Sequence, residues 1–259
     1  MVLYYREYGN RHAPLIVFLH GGGVSSWMWD SQVQYFINYH CVTVDLPEQG
    51  QNAQKDEFSI KDSAYRIIKL INELANEKEI IVIGFSLGAQ ILVEILSYRP
   101  DLINYAIINS ALVKPNKLGE KVIKPLIRLT YPLIKNRTFS KLQAKTLFIG
   151  EEHFERYYNE SWQMERETLV RILKENISFE LPTEFSKAKG KILVTVGNKE
   201  KAIMKKSASE IIHCNEKCTG VIISKIGHGV PLAKPDLFNK IIEKWINGEK
   251  LPRECKEIV

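Results

Sequence analysis

Short apolar runs alternate with longer amphipathic stretches along most of the chain. Runs of four to six apolar residues are too short for a helix and are typical of strands buried on both faces of a parallel sheet. The stretches between them repeat apolar residues at helical spacing. Strands are predicted in this way at residues 3–8, 15–19, 41–45, 80–83, 105–109, 191–196 and 221–226. The alternation predicts an α/β protein whose mostly parallel sheet carries helices on both faces.

The alternation stops between residues 111 and 188. Apolar residues there follow helical stripes, one of them interrupted by Pro125 and Pro132, and further helices are predicted at 139–149 and 155–176. No strand pattern is evident in this segment. We therefore predict a core formed by residues 1–110 and 189–259, with residues 111–188 inserted as a helical cap and not as an independent domain.

The sharpest local signal lies where the strand at 80–83 meets the next helix. The sequence there is Gly-Phe-Ser-Leu-Gly at residues 84–88, with Ser86 in the middle. Glycines at both ends allow a tight strand-to-helix turn that exposes the serine hydroxyl at the positive end of the helix. This pattern predicts a nucleophile; the alternative is a glycine-flanked turn whose serine only caps the helix.

Three other stretches also follow directly after predicted strands. They are the glycine-rich residues 20–23, Glu200 and His228. Because reactive groups in open α/β sheets gather outside the carboxyl ends of the strands, all of these are expected at one edge with Ser86. His228 is then the candidate base for the serine and Glu200 the candidate acid that orients the imidazole.

Two further assignments follow from the same edge. The backbone N–H of Leu87 and one from the Gly21–Gly22 region are candidates to stabilise an oxyanion. Asp45 also follows a strand but precedes the serine, and we expect it to brace loops. The strand at 105–109 is followed by Ser110 and offers no carboxylate. These comparisons leave Glu200 as the acid.

Composition narrows the classes of function. The 36 lysines and arginines are scattered among 30 acidic residues, and the net charge is +6. Without a dense basic block, nucleic acid is not an expected partner. No apolar run reaches the roughly 18 residues that span a bilayer, and no signal peptide is evident, so we expect a cytoplasmic protein. Nothing in the sequence predicts the oligomeric state.

Metal binding is not expected either. The four cysteines include Cys214 and Cys218, which lie close to His213. That group lacks the second ligand pair of a zinc site. We predict neither a metal nor an organic cofactor.

Several of these motifs together resemble one known family, the α/β-hydrolase fold. They are HGGG at 20–23, DLPEQGQN at 45–52, GFSLG at 84–88, GNKE at 197–200 and GHGVPLAKPDLF at 227–238. The resemblance covers nearly the whole chain and implies an eight-stranded sheet with a cap inserted after the sixth strand. It also implies a catalytic triad of Ser86, Glu200 and His228, with the N–H groups of Gly22 and Leu87 as the oxyanion hole.

The chain departs from the resembled pattern at two positions. The family usually has Asp where Glu200 stands, and its G-H-G-x-S segment is replaced after Asp45 by EQGQN at 48–52. A serine at the elbow nevertheless sets the chain apart from relatives that use Asp there, the haloalkane dehalogenases and epoxide hydrolases.

The combined expectation is a serine hydrolase that cleaves a small, fairly apolar carboxylic ester through an acyl-enzyme. Gly21, Trp27 and Trp162 are candidate substrate contacts, although the two tryptophans are equally compatible with packing in the core. Two alternatives remain open: a ligand receptor or signalling partner that uses the same pocket, and a C–C hydrolase, thioesterase or acyltransferase. Fold alone does not decide among them.

Overall fold

The computed structural model describes residues 3–53 and 57–258. Residues 54–56 of the predicted polar loop after Asp45 therefore lie outside the described residues. The described chain forms one eight-stranded sheet. Its strands are β1 (Tyr5–Gly9), β2 (Leu15–Leu19), β3 (His40–Val44), β4 (Ile80–Phe85), β5 (Tyr105–Asn109), β6 (Lys191–Gly197), β7 (Cys218–Ile223) and β8 (Cys255–Glu257).

The spatial order of the strands is β1-β3-β2-β4-β5-β6-β7-β8. The six strands from β3 to β7 in this order pair in parallel, whereas β1 and β8 are antiparallel edge strands. This arrangement confirms the predicted mostly parallel sheet and matches β2 and β5 to the residue. Strand β7 begins and ends three residues before its predicted position, so His228 does not follow it directly but stands at the end of a connecting loop.

Successive side chains of the central strands enter two separate cores. In β2, Val17 and Leu19 pack into one core while Ile16 and Phe18 pack into the other, and all four are fully buried. Because both faces are covered, these strands are continuous apolar runs and do not alternate with polar residues.

Helices of the core cover both faces of the sheet. They are α1 (Asp30–Tyr35), α2 (Ile60–Ala75), α3 (Leu87–Tyr98), α8 (Ala202–Cys214), α9 (Val230–Ala233) and α10 (Pro235–Ile246). Helices α2, α3 and α8 contribute apolar residues to one core, and α10 contributes Phe238, Ile241 and Ile242 to the other. Ser59 caps α2 as predicted, since its side chain accepts a hydrogen bond from the Asp62 N–H.

Four α-helices and a short 3-10 helix (Thr183–Lys187) connect β5 to β6, and we call the four α-helices the cap helices. They are α4 (Lys117–Ile134), α5 (Arg137–Thr146), α6 (Glu151–Gln163) and α7 (Arg166–Ser178). They follow the fifth strand of the described chain and not the sixth, because the eighth strand of the sheet is supplied by the C-terminal β8. That strand is three residues long and contains no apolar run, so the sequence pattern did not reveal it.

The cap helices also differ from their predicted boundaries. Helix α4 runs unbroken through Pro125 and Pro132, which both lie on its exposed side, where water can satisfy the carbonyls that proline leaves unpaired. The single helix predicted at 155–176 is instead divided between α6 and α7. The break falls at Met164 and Glu165, whose backbones are extended, and the Tyr131 hydroxyl bonds the freed Met164 carbonyl at 2.8 Å.

The N-terminal capping residue of α2, Ser59, allows a test of how much the capping hydrogen bond contributes to stability. Replacing Ser59 by Ala removes the acceptor for the Asp62 N–H and should lower the free energy of unfolding by about 1 kcal/mol. Ser59→Thr keeps a hydroxyl at the same position and serves as the control. Urea titrations of both variants would show equal losses if the capping hydroxyl contributes nothing.

Candidate active site

The turn between β4 and α3 holds Ser86 in a strained conformation. Its φ of 53° and ψ of −111° are sparsely populated for a residue with a side chain. The two glycines of the turn permit this geometry. A Cβ at Gly88 would lie 2.6 Å from the His20 carbonyl oxygen, and one at Gly84 would lie 2.7 Å from the Ala89 Cα. Strand and helix therefore approach too closely for any side chain at either position.

Ser86, His228 and Glu200 form one continuous chain of hydrogen-bonded side chains. The Nε2 atom of His228 lies 3.0 Å from the Ser86 Oγ, and its Nδ1 lies 2.8 Å from Glu200 Oε2. The Glu200 side chain is 2% exposed, whereas that of His228 is 40% exposed. The ring of His228 also packs against the Phe85 ring, with centroids 5.1 Å apart. These three predicted residues, distant in sequence, thus meet at the sheet edge.

The charge of Glu200 is stabilised despite its burial. Burial raises the pKa of this carboxyl, but hydrogen bonds from His228, the Gly197 N–H and the Ser110 hydroxyl outweigh it and lower the pKa. Both of the latter donors contact Oε1 at 2.8 Å. An ionised carboxylate can only accept, so Nδ1 of His228 carries the proton and Nε2 presents its lone pair to Ser86.

No role was predicted for Ser110, because only a carboxylate after β5 was considered as a functional group there. The hydroxyl of Ser110 nevertheless supports the acid that stands after the neighbouring β6. A φ of 59° turns its backbone sharply at the end of the strand. The strand order places β5 beside β6, so a polar residue directly after β5 was the available signal.

The glycine-rich residues 20–23 lie directly beside the elbow. His20 is completely buried, and burial lowers the pKa of its imidazole. Its Nδ1 lies 2.7 Å from the Gly21 carbonyl oxygen, and its Nε2 accepts the Leu46 N–H at 3.0 Å. A neutral ring with the proton on Nδ1 satisfies both contacts, so His20 fixes the path of this loop.

Gly21 faces Ser86 at the elbow, and Gly22 faces Leu87 at the start of α3. A Cβ at Gly21 would lie 3.6 Å from the Ser86 Cβ, and one at Gly22 would lie 3.5 Å from the Leu87 side chain. Leu87 is the first residue of α3, where backbone N–H groups have no intrahelical acceptor. The two predicted oxyanion donors therefore belong to neighbouring segments on the same side of Ser86.

Asp45 braces loops, as expected from the sequence. Its carboxylate accepts hydrogen bonds from the backbone N–H groups of Ser26 at 2.8 Å and Gln51 at 2.9 Å. It does not contact the hydrogen-bonded chain of Ser86. The Gln49 side chain also holds this region, because it accepts the Gly23 N–H at 3.0 Å.

The two tryptophans proposed for substrate contact, Trp27 and Trp162, both contact residues of the cap segment. Trp27 is buried, donates from Nε1 to Glu160 at 2.9 Å and stacks on the His153 ring. Trp162 is 51% exposed, and the Lys135 ammonium sits over its ring at 4.7 Å. Trp27 therefore joins the core to the cap helix α6, and neither tryptophan is among the residues that line the cavity between the cap helices and the glycine-rich loop. Their contact with substrate stays a prediction.

A cavity of about 260 Å³ lies between the cap helices and the glycine-rich loop. Its walls come from all four cap helices or the loops that join them, together with Gly22 and Gly23. The other lining residues are Ile127, Thr130, Tyr131, Ile134, Phe139, Gln143, Leu147, Tyr157, Ser161, Met164, Leu169 and Leu173. The cavity therefore opens beside the predicted oxyanion donors.

The described residues offer neither a metal site nor a membrane span. Among residues 3–53 and 57–258, no cluster of three or more His, Cys, Asp or Glu side chains is arranged to hold a metal ion. In the same ranges, no helix has the length and apolar character needed to cross a bilayer.

Comparison with known proteins gives consistent matches. A model described as the alpha/beta hydrolase family matches residues 16–241. The chain is 23% identical to an (E)-2-((N-methylformamido)methylene)succinate hydrolase of Acinetobacter baylyi, over 89% of each chain. It is 33% identical to a pimeloyl-[acyl-carrier protein] methyl ester esterase of Wigglesworthia glossinidia brevipalpis, over 37% of this chain and 36% of that one.

A solved structure has the same fold over nearly the full length. An esterase from Exiguobacterium antarcticum superposes with a TM-score of 0.79 at 18% identity, covering 95% of both chains. At that identity the match shows the fold alone.

The lowered pKa of Glu200 predicts a pH-dependent contribution to stability. Above the ordinary value of 4.5 the contribution of the carboxylate is complete, and it is lost as the pH falls through the lowered folded value. Glu200→Gln lacks this contribution. The difference in free energy of unfolding between the wild type and Glu200→Gln should therefore shrink as the pH falls below 4.5.

Chemical denaturation at a series of pH values measures this difference. Glu73→Gln, an exposed substitution on α2, is the matched control and should follow the wild type at every pH. A difference for Glu200→Gln that stays constant or grows in acid would contradict the assignment of an ionised Glu200.

Proposed function

Since the chain belongs to the alpha/beta hydrolase family and is a hydrolase, we propose that it cleaves a small, fairly apolar carboxylic ester through an acyl-enzyme. The observation that carries this proposal is the hydrogen-bonded chain from Ser86 through His228 to Glu200. In this role Ser86 is the nucleophile, His228 the general base and Glu200 the acid that orients the imidazole.

In the first half of the reaction, the Ser86 Oγ attacks the carbonyl carbon of the ester. Its proton passes to Nε2 of His228, and the carbonyl π electrons move onto the oxygen. When the tetrahedral intermediate collapses, the bond between carbon and the alcohol oxygen breaks. The alcohol leaves with the proton from His228, and the acyl group remains on Ser86.

In the second half, water replaces the alcohol. His228 takes a proton from the water as the water oxygen attacks the acyl carbon. The bond between the acyl carbon and the Ser86 Oγ then breaks. The proton on Nε2 returns to Ser86, and the carboxylic acid is released. Glu200 stays ionised throughout and stabilises the imidazolium that forms in each half.

The oxyanion of each intermediate needs its own donors. We assign this role to the backbone N–H groups of Gly22 and Leu87, which lie on neighbouring segments beside Ser86. The position of Leu87 at the start of α3 adds the positive end of the helix dipole. Loss of one such donor typically costs about 3 kcal/mol of transition-state stabilisation.

We further propose that residues 111–188 act as a cap over this site, with residues 1–110 and 189–259 as the core. Support comes from the cavity that separates the cap helices from Gly22 and Gly23. Polar contacts with the buried core residue Glu48 hold the cap on the core. Arg171 on α7 pairs with Glu48 at 2.8 Å, and the Thr168 hydroxyl donates to the same carboxylate.

The names of the relatives agree with hydrolysis, and one of them with ester hydrolysis. The Wigglesworthia protein is named as a methyl ester esterase, and the Acinetobacter protein as a hydrolase. We carry over from them the reaction class alone, hydrolysis, because the cavity and not the fold selects the substrate.

The direct test is Ser86→Ala, assayed on a series of p-nitrophenyl acyl esters. Loss of the nucleophile should lower kcat by roughly 10⁴-fold or more and abolish labelling by a serine-directed fluorophosphonate. Ser97→Ala is the matched control, because this serine lies on the same helix and only bonds the Val93 carbonyl. Undiminished turnover by Ser86→Ala would contradict the mechanism, and tight ligand binding without turnover by the wild type would favour a receptor.

The Ser110→Ala variant tests whether the Ser110 hydroxyl positions the Glu200 carboxylate. Removal of one of the two Oε1 donors should lower kcat by roughly tenfold while KM stays unchanged, because Ser110 is buried and does not line the cavity. Thr195→Val is the control, since it removes a buried contact to Asn109 on the same pair of strands without touching Glu200. An equal loss in both variants would show a structural effect and not a positioning one.

A further inference from the structure

The residues that line the cavity under the cap helices indicate which part of a substrate it holds. We infer that it takes the acyl chain of the ester, that this chain is uncharged and of medium length, and that the alcohol faces His228 and solvent. This inference rests on the proposed ester hydrolysis. Its support comes from the chemistry of the cavity wall, the hydrogen bonds already made by that wall, and the side on which His228 lies.

The wall of the cavity carries no positive charge. Its 14 lining residues include no Lys, Arg or His among the described residues, and half of them are Ile, Leu, Met or Phe. A carboxylate that enters such a cavity loses its hydration without gaining a cationic partner, which is strongly unfavourable. An aliphatic chain has no charge to desolvate, and removing its surface from water is favourable.

The hydroxyls of the wall are already engaged within the protein. The Tyr131 hydroxyl donates to the Met164 carbonyl at 2.8 Å, and that of Thr130 donates to the Leu126 carbonyl at 3.0 Å. The Tyr157 hydroxyl reaches Gln143 Oε1 at 3.4 Å. Burial raises the pKa of Tyr157, so its phenol stays neutral. The protons of these three hydroxyls are therefore committed to protein acceptors, which leaves the uncharged Gln143 amide as the side-chain N–H donor in the wall.

Two cations on the cap helices are held by other groups. Arg171 on α7 pairs with the buried Glu48 at 2.8 Å and with Glu57 at 3.3 Å. The Lys135 ammonium lies over the Trp162 ring, outside the cavity. Neither lines the cavity, so a carboxylate inside it would remain unpaired.

The position of His228 distinguishes the acyl chain from the alcohol. For the ester to break, His228 must protonate the leaving oxygen, so the alcohol lies on the imidazole side. That side is open, because the His228 side chain is 40% exposed. Gly22 and Gly23 line the cavity, whereas neither Ser86 nor His228 does. Because the N–H of Gly22 is a proposed donor to the carbonyl oxygen, we place the group on the carbonyl carbon, and not the alcohol, in the cavity.

The volume sets an approximate chain length. At about 30 Å³ for each water-sized group, 260 Å³ accommodates roughly eight or nine non-hydrogen atoms. This corresponds to an acyl chain near the length of octanoyl. Shorter chains would leave part of the apolar wall uncovered, and much longer ones would extend beyond the cavity.

A pair of esters with the same leaving group tests the charge preference. The probes are p-nitrophenyl octanoate and the mono-p-nitrophenyl ester of suberic acid, whose eight-carbon acyl chain ends in a carboxylate. We expect kcat/KM to be at least about 100-fold higher for the octanoate. Placing a cation in the wall by Gln143→Arg should reduce this ratio by about tenfold or more.

Gln163→Arg is the matched control for the added charge. Residue 163 is exposed at the end of α6 and lies outside the cavity, so this variant should keep the wild-type ratio. A similar fall in both arginine variants would reflect surface charge and would overturn the inference. If Gln143→Arg fails to fold, the wild-type ratio remains decisive.

The orientation is tested separately by octanoyl esters of ethyl, butyl and hexyl alcohols, which differ in size and hardly in leaving-group acidity, beside p-nitrophenyl esters of acetate, octanoate and palmitate. In kcat/KM, the length of the acyl chain should matter more than the size of the alcohol, with octanoate preferred. Equal rates for the octanoate and the suberate half-ester would overturn the inference, and so would rates that depend more on the alcohol than on the acyl chain. In either case, hydrolysis that depends on Ser86 would still uphold the proposed function. Absence of both fluorophosphonate labelling and hydrolysis of every ester would overturn the proposed function and the inference with it.

Discussion

Close backbone approach at the elbow is the constraint on which the site depends. Helix α3 starts so near the end of β2 that Gly88 has no space for a Cβ beside the carbonyls of Leu19 and His20. This approach has two results. It holds Ser86 in its strained turn, and it brings the glycine-rich residues 20–23 alongside the first N–H groups of α3. A nucleophile and its neighbouring donors are thus arranged by one packing contact between main chains.

The sequence predicted the core of the fold and the main residues of the site, because both follow from strong local patterns. Apolar runs marked the buried strands, and residues at the carboxyl ends of parallel strands meet at one edge whatever their separation in sequence. The meeting of Ser86, His228 and Glu200 was predictable for that reason. Their catalytic roles remain a proposal.

What the sequence did not reveal depends on contacts between distant segments. The hydroxyl of Ser110 matters because β5 and β6 are neighbours in space, and the division between α6 and α7 is stabilised by Tyr131 from α4. Periodicity continues across that break, so local pattern alone cannot detect it. The exposed position of Trp162 is likewise set by how the cap helices pack, and aromatic residues at helical spacing do not reveal which face is covered.

The bond between cap and core at Glu160 links substrate selection to the reacting groups. The Glu160 carboxylate on α6 accepts the Ser25 hydroxyl at 2.8 Å and the Trp27 indole N–H at 2.9 Å. Both donors lie a few residues after Gly22, so the seating of α6 and the shape of the glycine-rich loop are mechanically coupled. Evolution or engineering that exchanges one cap for another to gain new specificity would thereby disturb turnover, unless the residues at 25, 27 and 160 are transplanted together.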